Sequence, residues 1–184
     1  MSRSKKHKRF AEIEGLVAYT PEDDDVTLAH VRSSKLGSVP NAVGGYTARM
    51  AGFLGEVAVC NYLGKKCEYV GDTEYDHDAL YKKHKIEIKS KSCGRRPDPH
   101  FNAFVNGPPE LSPDNDVYFF TRVRRDLRRV YLCGWLPTPT LFDEAEYKPV
   151  GVMDNYGFVT SMEGFHIEIS ELHHPKTLKI IRKG

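Results

Sequence analysis

Between Tyr75 and Lys91 the chain reads YDHDALYKKHKIEIKSK, and this segment holds the residues best suited to chemistry. Ile86 and Ile88 alternate with Glu87 and Lys89, the period of a strand with one buried face. Glu87 and Lys89 therefore share the other face, which Lys91 continues. Tyr75 to Tyr81 reads as the outgoing strand of the same hairpin, with Lys82-Lys83-His84-Lys85 as its turn. Across that hairpin the Asp78 carboxylate can approach Glu87. Two converging carboxylates repel unless they are protonated or bridged by a cation. Ligands that are all oxygen favour a hard ion, Mg²⁺ or Mn²⁺. A lysine two residues along the face can then orient or deprotonate a water, or neutralise a phosphate. Asp76 lies two positions before Asp78 on the same strand face and is the alternative ligand.

An acid-x-Lys triplet is weak by itself, and the chain contains two, Glu87-Ile88-Lys89 and Glu146-Tyr147-Lys148. The second precedes Pro149 and has no upstream hairpin carrying an aspartate, so it reads as background. The competing interpretation of the first is a solvated strand face, with ion pairs from Glu87, Lys89 and Lys91 to Asp76 or Asp78. His77 and His84 read as surface positions.

Other elements must position these groups. Thr47 begins a helix whose Met50, Phe53, Leu54, Val57 and Cys60 fall on one face, with Leu63-Gly64 as its end. Gly52 and Gly55 lie inside it, where they would allow close approach to a sheet. Glu56 borders the apolar face, so its carboxylate is either solvated or turned into a cleft. An earlier helix is predicted from Thr20-Pro21-Glu22-Asp23, with a thin apolar stripe and Gly37 as its stop. Tyr69-Val70 reads as a short strand, and residues 93 to 115, rich in Pro, Gly and Asn, as a long loop. Asp116 to Arg124 and Arg129 to Leu136 form a second hairpin, apolar enough to lie centrally in the sheet. Beyond Pro137, short strands at Phe165 to Ile169 and Thr177 to Ile181 indicate a β-rich C-terminal extension.

Cationic residues occur in three places. Lys5, Lys6 and Arg9 belong to a basic arm over residues 1 to 9 that lacks apolar content. Arg95 and Arg96 follow the Glu87 strand, with His100 and Asn102 beyond them. Arg122, Arg124, Arg125, Arg128 and Arg129 surround the second hairpin's tip, as a solvated turn or a phosphate contact. No helix-turn-helix, homeodomain or zinc-finger signature accompanies them.

The 184 residues suit one domain over 10 to 184 behind the arm. The net charge of +2 is too mild to identify a partner. No apolar run reaches the roughly 18 residues of a membrane span. The four scattered cysteines match no zinc motif, and they point to reduced thiols in the cytoplasm.

The combination of Gly55-Glu56 on a helix, Asp78 leading a hairpin and Glu87-Ile88-Lys89 on the next strand resembles the PD-(D/E)XK nuclease superfamily over residues 46 to 136. That resemblance implies an α/β fold with a mixed central sheet and flanking helices, the restriction-endonuclease-like αβββαβ core. It also implies a metal-dependent endonuclease acting on DNA, with Mg²⁺ or Mn²⁺ held by Asp78, Glu87 and the Ile88 backbone carbonyl. Glu56 would be a further ligand, direct or through water, and Lys89 would stand beside the attacking water. Lys91, Arg95, Arg96, Arg125, Arg128, Lys5 and Lys6 would contact DNA. The residue before Asp78 is His77 where the family pattern has proline, so Asp76 stays open as the ligand. The small size suits a stand-alone enzyme of the phage or mobile-element kind, and a homodimer would suit double-strand cleavage. A junction-type nuclease, RNA processing and a non-catalytic nucleic-acid-binding module are the other readings.

Overall fold

A computed structural model describes residues 9–35, 45–71, 77–153 and 159–179. Its centre is a seven-stranded mixed sheet in the order β1-β2-β8-β7-β5-β4-β3. The strands are β1 Phe10–Ile13, β2 Leu16–Tyr19, β3 Cys67–Tyr69, β4 Ala79–Tyr81, β5 His84–Cys93, β7 Val117–Arg124 and β8 Val130–Pro137. β5 and β7 run parallel and the other neighbours run antiparallel. A three-stranded antiparallel sheet is built from β6 Asn102–Asn106, β10 Gly164–Glu168 and β9 Glu146–Lys148.

The hydrophobic pattern explains the layering. β7 and β8 are buried along nearly their whole length, as strands covered on both faces must be, and β7 is the middle strand. Ile86, Ile88, Phe119, Val123 and Leu132 form one core with α2 Gly45–Leu63, which also includes Ala29 of α1 Asp23–Lys35. Tyr118, Phe120, Tyr131 and Leu136 face the opposite way, against Val105, Phe165 and Ile167 of the small sheet and Leu141 of α3 Thr138–Glu144.

Several sequence expectations are revised. The stretch 93–115 is not all loop, because Ala103 and Val105 alternate inward and make β6, the start of the second sheet. The β5-to-β7 crossover thus carries a strand. α2 begins at Gly45, so Thr47 is inside the helix and does not cap it. The turn joining β4 to β5 is only Lys82-Lys83, both at positive φ, as a two-residue hairpin requires. Thr177 and Leu178 belong to a short helix, α4 Pro175–Leu178. Pro175 presets its first turn, and the His174 side chain accepts a hydrogen bond from the Lys176 amide.

Arg9 is not part of a loose arm. Its guanidinium contacts the Tyr19 hydroxyl and the Asp25 carboxylate, and it pairs with Glu22 at 3.4 Å. Asp25, at the third helical position, in turn accepts the Glu22 amide at 2.7 Å, the N3-to-N-cap half of a capping box, and the helix starts at Asp23 and not after Thr20. Lys5, Lys6, Gly37 and Asp76 lie outside the described residues. Among the described residues, no helix is long and apolar enough to cross a membrane.

Candidate functional site

Ala79 and Ile86 are cross-strand partners, which sets Asp78 beside Glu87 at the entrance to β4. The Asp78 amide donates to the Ile86 carbonyl at 3.0 Å, and its Oδ2 accepts the Ile88 amide at 2.7 Å. These two bonds fix the carboxylate against β5. Glu87 and Lys89 share the face opposite Ile86 and Ile88, and Lys89 Nζ lies 2.5 Å from Glu87 Oε1. The Ile88 carbonyl belongs to the peptide unit linking Ile88 to Lys89.

The third carboxylate arrives from α2. At Gly55 the helix comes so near the sheet that an added Cβ would sit 2.0 Å from Ser90 Oγ and 2.6 Å from Thr121 Oγ1. This contact carries Glu56 into the interior at 8% exposure, settling whether it is solvated or turned inward. Gly52 has no such role, since nothing lies within 4 Å of an added Cβ there.

Electrostatics tie the groups together. Burial, and then the Asp78 charge, push the Glu56 carboxyl up, while a Tyr69 hydrogen bond and the Arg32 charge oppose the shift. Burial, and then the Glu87 charge, raise Asp78, against the Ile88 amide bond and Lys89. Glu56, Asp78 and Glu87 therefore form a chain of mutually repelling acids with Lys89 at one end. Glu56 Oε2 has no hydrogen-bond partner among the described residues. An orphaned buried carboxylate oxygen close to a second carboxylate is the donor chemistry a hard divalent ion satisfies. Among the described residues, no three His, Cys, Asp or Glu side chains form a ready-made ligand cluster. The chain would hold the ion with Asp78 and Glu87, and with Glu56 directly or through water.

The chain matches no protein-family model and no curated protein.

Arg32 and Tyr69 were not singled out in the sequence. They flank Glu56, with the Arg32 guanidinium 3.5 Å from the Tyr69 ring centre. Their positions in α1 and β3 gave no linear signal. His77 is at 6% exposure and is not on the surface, because it directly precedes Asp78 where the chain enters the sheet. Arg122 does not belong to a solvated hairpin tip either. Val123 faces the helices, so strand alternation turns Arg122 to the other face, where it is buried and donates to the Asn102 carbonyl at 2.5 Å.

The remaining cations are distributed along the sheet. Lys91 is the parallel-register partner of Arg122. Arg95, Arg125 and Arg128 are exposed, and the Arg125 amide bonds the Cys93 carbonyl at 3.0 Å, which seats the hairpin tip at the end of β5. Arg96 pairs with Glu14 in the β1–β2 turn. Cys93 lies six residue steps beyond Glu87, about 20 Å of strand, so these arginines lie well away from the carboxylates.

Proposed function

We propose that this chain is a divalent-metal-dependent nuclease that hydrolyses phosphodiester bonds in DNA. The observation supporting this reading most directly is the meeting of Glu56, Asp78, Glu87 and Lys89 from α2, the entrance to β4, and β5. Three buried or half-buried acids against the Lys89 ammonium and the Arg32 guanidinium leave a surplus of negative charge, which suits them to accept Mg²⁺ or Mn²⁺. Such an ion supplies charge stabilisation and a lowered water pKa. Asp78, held by the Ile88 amide, and Glu87 would anchor it. Glu56 would complete the set, and Lys89 would orient the attacking water or neutralise the phosphate. Lys91 and the arginines at the end of β5 would follow the nucleic-acid backbone.

Nicking of supercoiled plasmid tests the reading. Product should appear with Mg²⁺ and vanish with EDTA. Tight, salt-sensitive binding without cleavage would instead make the protein a binding module. Cleavage that persists in EDTA, or needs Zn²⁺, would refute the site. Parallel assays on RNA and on branched junctions identify the substrate among nucleic acids.

A further inference from the structure

A cleft of about 520 Å³ begins at Lys89 and runs between the first turns of α2 and the β6–β10 sheet. The charged residues lining it are Lys89, Lys91 and Arg122, with His166 beside them and no Asp or Glu. Arg122 is at 8% exposure, and among the described residues no carboxylate forms an ion pair with it. A buried guanidinium carries five donors, and its burial is costly unless an anion or acceptors satisfy it. The Asn102 carbonyl takes one of these donors. Lys91 and Arg122 are register partners on neighbouring strands, so their side chains leave the same face with backbones about 4.8 Å apart. Desolvation, then the adjacent Arg122 charge, push the Lys91 ammonium pKa down.

The walls are aromatic as well as cationic. Phe104 lines the cleft with its ring centre 4.8 Å from that of His166. The volume falls within the range of about 300–1,000 Å³ that encloses single small ligands. A base-paired helix, with two strands around a major groove about 12 Å wide, cannot enter it.

We propose that the cleft is a subsite for one unpaired nucleotide of the substrate, with its phosphate on Arg122 and Lys91 and its base against Phe104. Its place beside Lys89 rests on the nuclease reading above. The enzyme then acts where a strand end, flap or extruded base can leave the duplex.

The test is calorimetric titration of the full chain in EDTA, so that cleavage is silent, with a deoxynucleoside 5′-monophosphate, the matching nucleoside and inorganic phosphate. The monophosphate should bind at least about tenfold tighter than either fragment, since phosphate and base contribute separately. Lys91→Met should weaken it about tenfold, the effect of one lost charge-assisted contact. Phe104→Ala should weaken the monophosphate by a similar factor and leave inorganic phosphate unchanged. Arg122→Met should abolish binding. Should that variant fail to fold, the other two decide. Absence of monophosphate binding, equal binding of inorganic phosphate, or indifference to Lys91→Met and Phe104→Ala would overturn the proposal. Mg²⁺-dependent cleavage without monophosphate binding would overturn the subsite and leave the nuclease reading. Monophosphate binding without cleavage under any divalent ion would support the subsite and remove the nuclease.

Discussion

Glu87 and Lys89 neutralise each other at 2.5 Å, yet Asp78 and Glu56 are raised by burial and by neighbouring acids, so removing different members should have different signatures. Glu87→Gln and Asp78→Asn keep shape and remove charge. Each should slow cleavage at saturating DNA about a hundredfold or more, the scale of one lost preorganised group. Lys89→Met should match them. Glu56→Gln should give a smaller defect, partly rescued by raised Mg²⁺, if that carboxylate acts through water. Glu146→Gln, in the triplet on β9, should be neutral. DNA binding is measured alongside, because loss of a carboxylate beside phosphate can tighten binding while chemistry fails. Wild-type rates in both Glu87→Gln and Lys89→Met would reduce β5 to a solvated face.

At the scale of elements, two glycines in one helix make opposite predictions. Gly55→Ala forces α2 off Ser90 and Thr121 and should cost about 1–3 kcal/mol by overpacking, with loss of activity as Glu56 is displaced. Gly52→Ala meets open space and should be neutral, or stabilise by up to about 1 kcal/mol through helix propensity. Urea unfolding of both variants compares them directly. If Gly52→Ala destabilises as much as Gly55→Ala, the helix–sheet approach has been misplaced. The β1–β2 hairpin and α1 are joined in a similarly specific way, through Arg9, Tyr19, Asp25 and Asn61. Arg9→Ala leaves the buried Asp25 short of its cation and should cost roughly 1–3 kcal/mol. Removing residues 1–8 should spare that network. If Lys5 and Lys6 contact DNA, the same deletion should flatten the salt dependence of binding by about 0.9 log-log units per lost phosphate contact.

For the whole molecule, the acids at the site link stability to pH. Raised carboxyl pKa values mean that the folded chain holds these protons more tightly than the unfolded chain does. The associated stability is present at acid pH. It is lost as pH climbs from the unfolded carboxylate range, about 4, towards neutrality through the raised folded values. In EDTA, wild-type Tm should therefore drop between about pH 5 and about pH 8, and a Glu56→Gln/Asp78→Asn double variant should show a shallower drop. Mg²⁺ should raise wild-type Tm more at the higher pH, because ligand carboxylates must be deprotonated to bind it. An identical pH profile in the double variant would show that these carboxyls are not the source of the linkage.

Local pattern carried a good part of this in advance. Ile86 and Ile88 against Glu87 and Lys89 place two side chains on one face by a period of two, and no distant contact can alter that parity without breaking the strand. The apolar runs of β7 and β8 likewise demanded cover on both faces and a central place. Glu56 was different. Helical spacing set it at the border of an apolar face, and only the approach at Gly55 turned the border inward. Arg122 was read with the exposed arginines beside it, because charge clusters in a sequence resemble solvated turns. Its burial depends on β6 leaving the main sheet and folding back over β7, a packing between segments some 20 residues apart, as Arg122 and Asn102 show. A linear pattern records which face a side chain takes. What covers that face is set by long-range packing, and it was this packing that created the cationic cleft.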